Sequence, residues 1–272
     1  MNKKTGKVLG LISIKGGVGK TTSVLNIASS LSNDYDKKVV VVDANFSSPN
    51  VALHLGSVDH KNHLHHVLND EVHIGESLYD SGFGFHFVPS SLVHMKTNFS
   101  KLKDTVKTLK KHYDYVLIDS SPSLNNELAA TINASDELYV VSTPDIPTLS
   151  TTLRAIKLAK GNGMHVKGLI LNKMRNKNYE IKAADMERLA GVPVVGVVNN
   201  DIKIAEALSE LKPVVLHSPH AKSSLSYKQL AAYLSGEEYD HPGKIKLALS
   251  RLKDDYENFK RHDFKNGFMY YK

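Results

Sequence analysis

The residues best suited to chemistry lie in one glycine-rich run near the start of the chain, Lys15-Gly16-Gly17-Val18-Gly19-Lys20-Thr21-Thr22. An apolar segment, Val8 to Ile14, precedes this run, and a segment with helical spacing, Thr21 to Ser32, follows it. Glycines allow backbone N–H groups to approach phosphate oxygens without obstruction by side chains, and the start of a helix adds partial positive charge. The pattern therefore predicts a phosphate-binding loop between a strand and a helix.

The polar side chains at the end of the run have distinct expected roles. Lys20 is expected to contact the β- and γ-phosphates of a bound nucleotide. Thr21 is expected to place its hydroxyl on Mg²⁺, and Thr22 to lie near the α-phosphate. An ordinary glycine-rich turn is the competing interpretation, but residue types, spacing and the strand-helix context all favour the phosphate loop.

The run departs from the strict phosphate-loop pattern, because Ile14 stands at the position of its first glycine. It resembles instead the deviant Walker A motif of the MinD/ParA family, whose distinguishing lysine is here Lys15. The resemblance covers nearly all of Met1 to Gly236 and implies ATP and Mg²⁺ as cofactors. It also implies a homodimer on ATP binding, in which Lys15 contacts the phosphates of the partner copy and neutralises charge in the transition state.

Two aspartates that end apolar segments match further positions of the family. Asp43 ends the segment Lys38 to Asp43 and resembles the first switch I aspartate, which holds a water molecule bound to Mg²⁺. Asp119 ends the segment Tyr115 to Asp119 and resembles the Walker B acid, which also binds the metal through water. By itself, an aspartate after an apolar strand is as often a helix cap or a turn residue. Asn50 matches an asparagine of switch I.

Two polar residues in the second half of the chain are candidates for contacts with the base. Asn172 resembles the asparagine with which the family contacts adenine, and an amide can both donate to and accept from the adenine edge. An asparagine that caps a strand end is the alternative. Asp201 lies where the family often has Ile-Pro-Glu-Asp, although Asn199 replaces the proline here.

One departure from the family bears on catalysis. The family has a second switch I aspartate two residues after the first, and this chain has Asn45 there. An amide can orient the attacking water but cannot take its proton, so slow ATP hydrolysis is expected. A non-hydrolysing ATP-binding scaffold is the alternative that the same residue motivates.

Short apolar segments alternate with segments of helical spacing, which is typical of a parallel sheet covered on both sides. The predicted strands are Val8–Ile14, Lys38–Asp43, Phe85–Pro89, Tyr115–Asp119, Glu137–Ser142, Val166–Asn172 and Val194–Val198. The predicted helices are Thr21–Ser32, Lys101–His112, Thr148–Lys160, Tyr179–Ala190, Ile202–Leu211 and Ser223–Ser235. We therefore predict a doubly wound, mostly parallel α/β fold, with a P-loop ATPase domain over residues 1–236 and a C-terminal segment over residues 237–272.

The C-terminal segment has an amphipathic helical pattern from Pro242 to His262. In placement it resembles the membrane-targeting helix of MinD, but acidic residues on its polar face weaken attraction to anionic lipid. Docking on the domain or on a second copy is an equal alternative. Tyr270 and Tyr271 motivate a further alternative function, a P-loop protein-tyrosine kinase. Lys15 disfavours it, since those kinases resemble a P-loop without that lysine.

Two groups of basic residues could bind DNA without sequence specificity, as in ParA, although solvated helix faces are the commoner explanation. The groups are Lys101, Lys103, Lys107, Lys110 and Lys111, and then Arg154, Lys157, Lys160, Lys167, Lys173, Arg175, Lys177 and Lys182. A histidine-rich segment is expected to be a solvent-exposed loop rather than a metal site, because no acidic residues complete a ligand set. Its histidines are His54, His60, His63, His65, His66 and His73.

The composition excludes several functional classes. The chain has no cysteine, which removes disulfides, thiolate zinc sites and iron–sulfur clusters. No apolar stretch approaches the roughly 20 residues of a membrane span, so any membrane contact is expected to be peripheral. The resemblance to the MinD/ParA family implies a cytoplasmic ATPase, in peripheral contact with the inner face of the cell membrane or with DNA. Its expected role is to position a division site, a chromosome or other cargo in response to an activating protein partner.

Overall fold

The computed structural model describes residues 5–93 and 95–240. Eight strands form one sheet, and their bounds are β1 (Lys7–Ile12), β2 (Val39–Ala44), β3 (Tyr79–Asp80), β4 (His86–Val88), β5 (Tyr115–Ser120), β6 (Glu137–Ser142), β7 (Val166–Met174) and β8 (Val194–Asn199). The strand order is β3-β4-β2-β5-β1-β6-β7-β8. All neighbouring strands are parallel except β3 and β4. The expected mostly parallel sheet is therefore confirmed, and the sequence pattern did not predict β3.

The α-helices of the described residues are α1 (Lys20–Asn33), α2 (Val51–His54), α3 (Leu64–Leu68), α4 (Leu102–Leu109), α5 (Asn126–Ala134), α6 (Ile146–Gly161), α7 (Ala183–Ala190), α8 (Ile202–Ser209), α9 (Val214–His217) and α10 (Lys222–Ser235). Short 3₁₀ helices span Ile74–Ser77 and Phe99–Lys101. All six predicted helices are present. The pattern missed α5, because Leu128 and Ile132 are its only large apolar residues. Its start is fixed by the Asn125 side chain, which accepts a hydrogen bond from the Leu128 N–H.

The helices form layers on both faces of the sheet. All six residues of β2 are buried, because a central parallel strand is covered on each side. Successive side chains of a strand point to opposite faces. Val39 and Val41 pack with residues of α1 and α10, whereas Val40 and Val42 pack with residues of α3 and α4. The core therefore lies in two slabs, one on each side of the sheet.

This topology brings the predicted site residues to one edge. The carboxyl ends of β1, β2, β5 and β7 lie together because these strands are parallel, and ligands of such sheets bind outside this edge. The glycine run follows β1, and Asn172 lies near the end of β7. Asp43 of β2 is in register with Asp119 of β5. Residues far apart in the sequence are thus gathered around the start of α1.

The expectation of a solvent-exposed histidine loop is wrong. The segment begins at the last residue of α2, contains α3 and ends at His73, which caps the 3₁₀ helix Ile74–Ser77; among its six histidines only His73 is exposed. Leu64 and Leu68 pack into the core and draw α3 against the sheet. Nδ1 of His65, which is fully buried, accepts a hydrogen bond from the Ser91 N–H at 3.1 Å. In the described part of the chain, no group of three or more His, Asp or Glu residues has a metal-binding arrangement.

The C-terminal predictions lie outside the described residues. They concern the amphipathic helix from Pro242 to His262 and the terminal tyrosines, Tyr270 and Tyr271. None of the helices that the structure does describe combines the length and the apolar character needed to cross a bilayer.

Replacement of Leu117 by alanine tests the two-layer core. Leu117 is fully buried in β5. We expect the free energy of unfolding to fall by about 2–5 kcal/mol, because the truncation removes buried carbon atoms and leaves a cavity. Urea unfolding followed by circular dichroism measures the change. Leu153→Ala, at a side chain that is 40% exposed on α6, is the matched control. Equal losses in the two variants would contradict this description of the core.

Candidate functional site

The loop between β1 and α1 owes its shape to glycine. Gly17 and Gly19 have φ angles of +74° and +88°, a region that residues with a Cβ atom rarely adopt. A Cβ added at Gly19 would lie 2.2 Å from Nδ2 of Asn172. Position 19 therefore requires glycine for two reasons, the backbone conformation and the close approach of the Asn172 side chain.

The loop forms one wall of a cleft of about 540 Å³. A cleft of this volume can hold a ligand the size of a nucleotide. The predicted site residues that line it are residues 15–22, Asn45, Asn50, Asn172 and Asp201. Two predicted site residues do not line the cleft: Asp43 and Asp119 are fully buried behind it.

A buried lysine and a hydroxyl connect the loop to Asp119. Nζ of Lys20 donates to Oδ1 of Asp119 at 2.9 Å, and Oγ1 of Thr21 donates to Oδ2 of the same carboxylate at 2.6 Å. The Lys20 side chain is only 6% exposed. Charges buried to this extent are tolerated when they are paired and hydrogen-bonded. The contact therefore positions both loop residues and compensates the charge of Asp119.

Asp43 is the second buried carboxylate. Its oxygens accept hydrogen bonds at 3.1 Å from the backbone N–H groups of Asn45, Asn50 and Val51. Burial and the nearby Asp119 carboxylate raise the pKa of Asp43, and the three backbone hydrogen bonds oppose this shift. The pair is thus only partly compensated by Lys20, and further positive charge nearby would stabilise both ionised carboxylates.

The donors and acceptors of this region fit ATP and Mg²⁺. The loop N–H groups and the Lys20 ammonium are suitable donors for phosphate oxygens. The Thr21 hydroxyl and the carboxylates of Asp43 and Asp119 supply oxygen atoms, which are the ligands that Mg²⁺ prefers directly or through water. Mg²⁺ would also supply the positive charge that the two carboxylates favour.

Lys15 lies at the edge of the cleft, beside the start of α6. Its Nζ donates to Oγ1 of Thr148 at 2.7 Å and to Oδ1 of Asp145 at 3.3 Å. Partial burial opposes ionisation of Asp145, but hydrogen bonds from Thr143, Thr148 and Lys15 lower its pKa. The Lys15 side chain is 41% exposed. It is therefore held by exposed contacts within its own chain.

Asn45 and Asn50 follow β2 and line the cleft. Nδ2 of Asn45 donates to the Ser48 carbonyl at 2.5 Å, and Nδ2 of Asn50 donates to the same carbonyl at 2.7 Å. Oδ1 of Asn45 is buried and has no hydrogen-bond partner among the described residues. Since a buried polar atom without a partner is costly, this oxygen is suited to accept a hydrogen bond from water.

The two residues predicted to contact the base are already engaged with the chain. Nδ2 of Asn172 donates to the Val18 carbonyl at 2.8 Å. Asp201 caps α8 through the Lys203 N–H and also accepts hydrogen bonds from the N–H and hydroxyl of Ser223. Both residues line the cleft, so contacts with adenine stay predictions. One amide hydrogen and one lone pair of Asn172 remain available for them.

Sequence analysis gave no role in the site to several residues that line the cleft, and Lys173 and Asn200 are two of them. Nζ of Lys173 donates to the Gly17 carbonyl at 2.7 Å, and Asn200 lies beside Asp201 in the lining. Glu127, on the missed helix α5, accepts a hydrogen bond from the hydroxyl of Ser47, which lies between Asn45 and Asn50. Of these residues, only Lys173 could have been suspected from the sequence, because it follows the predicted site residue Asn172.

Several known proteins resemble this chain in sequence and fold. Residues 6–162 match a family model described as an AAA domain. An uncharacterized ATP-binding protein of Methanocaldococcus jannaschii is 30% identical over 235 residues, covering 85% of this chain and 89% of that protein. The cell division ATPase MinD of Pyrococcus furiosus has a TM-score of 0.80 and 28% identity, covering 85% of this chain and 99% of that one. The septum site-determining protein MinD of Pyrococcus horikoshii, in complex with Mg-ADP, has a TM-score of 0.79 and 27% identity over 84% and 96% of the two chains.

Replacement of Lys20 by methionine tests the buried ion pair. It leaves Asp119 without its cation, so we expect the free energy of unfolding in the absence of nucleotide to fall by about 3–5 kcal/mol. Urea titration measures this loss. The double variant Lys20→Met/Asp119→Asn should recover part of it, because it also removes the uncompensated charge. Lys7→Met, at an exposed ion pair with Glu137, is the matched control and should have little effect. If Lys20→Met were as stable as Lys7→Met, the buried ion pair between Lys20 and Asp119 would not have the stabilising role given to it here.

Proposed function

This chain belongs to the MinD/ParA family of P-loop ATPases. We propose that it is an ATP-dependent molecular switch. Binding of ATP and Mg²⁺ favours a homodimer, and hydrolysis of ATP returns the monomers. The switch serves spatial positioning of the cell division site, or of a chromosome or other cargo. The observation that carries the proposal is a glycine loop with two lysines in different surroundings.

The two lysines differ in burial and in partner. Lys20 is buried and paired with Asp119, so it serves its own site. Lys15 is partly exposed and held by Thr148 and Asp145. Exposed ion pairs contribute little to stability, so Lys15 can leave these partners at small cost. It can then contact the phosphates of a second copy.

The proposed mechanism divides the work among residues of this chain. MgATP, when bound, supplies the transferable γ-phosphoryl group and a divalent positive charge. Lys20 and the loop amides bind and orient phosphate oxygens, with Thr22 near the α-phosphate. Thr21 offers its hydroxyl to the metal, and Asp43 and Asp119 hold the metal through water. Lys15 of one copy neutralises charge at the site of the other, which lowers the barrier to transfer.

Asn45 limits the rate in this proposal. Its unpartnered Oδ1 can orient a water molecule by accepting a hydrogen bond. An amide does not take up the proton, so turnover is slow and suits a timer. The same residue favours a second candidate, an ATP-binding scaffold that does not hydrolyse ATP.

We propose that the protein acts in the cytoplasm on an anionic surface, together with an activating protein partner. One candidate contact is a peripheral membrane helix within residues 242–262. The other is non-specific DNA binding by the basic helices. Lys103 and Lys107 of α4 are exposed, as are Lys111, which follows this helix, and Arg154, Lys157 and Lys160 of α6. Lys101 and Lys110 instead pair with Asp70 and Asp136, which reduces the charge that they offer.

Light scattering coupled to chromatography tests the switch. We expect the parent chain to change from monomer to dimer mass on addition of ATP and Mg²⁺. Lys15→Ala should stay monomeric although it still binds nucleotide, because only the contact in trans is lost. Lys107→Ala, which removes an exposed lysine of α4, is the matched control and should dimerise like the parent. A parent chain that stays monomeric at saturating ATP would overturn the proposal.

Phosphate release tests the role of Asn45. We expect slow release by the parent and an increase of roughly 10²-fold in Asn45→Asp, because a carboxylate can act as a general base. Asn45→Ala should release phosphate more slowly than the parent, since water loses its acceptor. Absence of release by the parent, together with a large gain in Asn45→Asp, would favour the scaffold. No gain in Asn45→Asp would contradict the role given to this residue.

A further inference from the structure

Two side chains of β7 hold two carbonyl groups of the phosphate loop. Nδ2 of Asn172 donates to the Val18 carbonyl at 2.8 Å, and Nζ of Lys173 donates to the Gly17 carbonyl at 2.7 Å. Oδ1 of Asn172 accepts a hydrogen bond from the Lys173 N–H at 2.9 Å. Consecutive carbonyl groups of the loop are therefore held by consecutive residues of one strand.

Because the peptide bond is planar and trans, a contact that fixes the direction of a carbonyl also fixes the direction of the N–H group in the same peptide unit. Within one peptide unit the C=O and N–H bonds point in opposite directions. The Gly17 carbonyl shares its unit with the Val18 N–H, and the Val18 carbonyl shares its unit with the Gly19 N–H. In residues 5–93 and 95–240 neither N–H is bonded to an acceptor, and both residues line the cleft. Holding the two carbonyls therefore also fixes the directions of two N–H groups that have no acceptor among the described residues, in a loop that lines the cleft.

Lys173 adopts a backbone conformation that is unusual for its residue type. Its φ angle is +60°, in the left-handed region that favours glycine. The side chain is exposed, so burial of apolar surface does not explain why a lysine occupies this conformation. Strained conformations of this kind persist where surrounding contacts enforce them, often at functional sites. The register of β7 with β8 shifts between Leu171 and Met174, and the Lys173 side chain contacts Gly17 from this irregular stretch.

The charge of Lys173 adds to the geometric effect. A cation at the oxygen end of a peptide unit strengthens the hydrogen bond and polarises the N–H at the other end. Glu180 lines the same small cavity as Lys173. Its carboxylate instead accepts hydrogen bonds from the backbone N–H groups of Arg175 and Lys177. The Lys173 ammonium is therefore placed on a loop carbonyl rather than on this acid.

We propose that Lys173 is a positioning residue for phosphate binding. It acts through the Gly17–Val18 peptide unit, by aiming and polarising the Val18 N–H toward the β- and γ-phosphates. The inference rests on the proposed nucleotide-binding function and extends it to a residue outside the glycine run.

Calorimetric titration with MgADP tests the proposal without dimerisation or hydrolysis. We expect Lys173→Met to bind MgADP about tenfold more weakly than the parent, as for loss of one charge-assisted contact. Lys173→Arg should stay within about threefold, since it keeps a cationic donor. Lys167→Met, at an exposed lysine near the other end of β7, is the matched control and should bind like the parent.

The glycine variant separates positioning from folding. Lys173→Gly relaxes the left-handed backbone, so we expect it to unfold at a urea concentration no lower than the parent does. Its affinity for MgADP should nevertheless fall as far as that of Lys173→Met. Recovery of parent affinity in Lys173→Gly would show that only the backbone conformation matters, and would overturn the role of the ammonium.

Nuclear magnetic resonance supplies a readout independent of activity. Loss of the hydrogen bond to the Gly17 carbonyl should move the ¹⁵N signal of the Val18 amide to lower frequency in Lys173→Met, and leave it in place in Lys167→Met. An unmoved Val18 signal, or unchanged MgADP affinity in Lys173→Met, would overturn the inference. A parent chain that binds neither MgADP nor MgATP would instead overturn the proposed function, which is a separate result.

Discussion

The buried contact between Lys20 and Asp119 is the interaction on which the rest of the site depends. It joins the first residue of α1 to the end of β5, across 99 positions of sequence. Asp43 lies in register with Asp119 on the neighbouring strand. The ionised forms of the two buried carboxylates are therefore destabilised by mutual repulsion and by loss of hydration. One lysine and a set of backbone N–H groups compensate this cost only in part. The site is therefore built to favour added positive charge, which suits a metal-bound nucleotide.

The phosphate loop is held from two directions. Lys20 and Thr21 anchor its helical end to Asp119 within the sheet, and Asn172 and Lys173 hold the carbonyls of Val18 and Gly17. A loop with three glycines has a large conformational entropy when it is unconstrained. The contacts on both sides restrict it before any ligand binds, so less ordering remains to oppose binding.

If Lys15 is to move between its own chain and a partner copy, its contacts within its own chain must be weak. The contacts with Thr148 and Asp145 are of this kind, because the Lys15 side chain is partly exposed. Thr148 and Asp145 belong to the start of α6, where Asp145 also caps the helix through the Thr148 N–H. The helix therefore keeps its cap whether or not Lys15 is present. In the proposed switch, the lysine can exchange partners without destabilising either element.

The sequence by itself determined the glycine run, the lysines at positions 15 and 20, and the alternation of apolar strands with helices. These follow from short spacings, because local backbone conformation depends on neighbouring residues. It did not indicate that α5 exists, since Leu128 and Ile132 alone make too weak a periodic signal. It also predicted that the histidine segment is exposed to solvent. The spacing of the histidines does not show that Leu64 and Leu68 are buried in the core and hold α3 against the sheet. Only the tertiary structure decided that Lys173 holds Gly17, that Asp201 links α8 to α10, and that Asp43 lies beside the ion pair of Lys20 and Asp119. Such contacts join residues far apart in the chain, and the parallel register of the sheet brings them together.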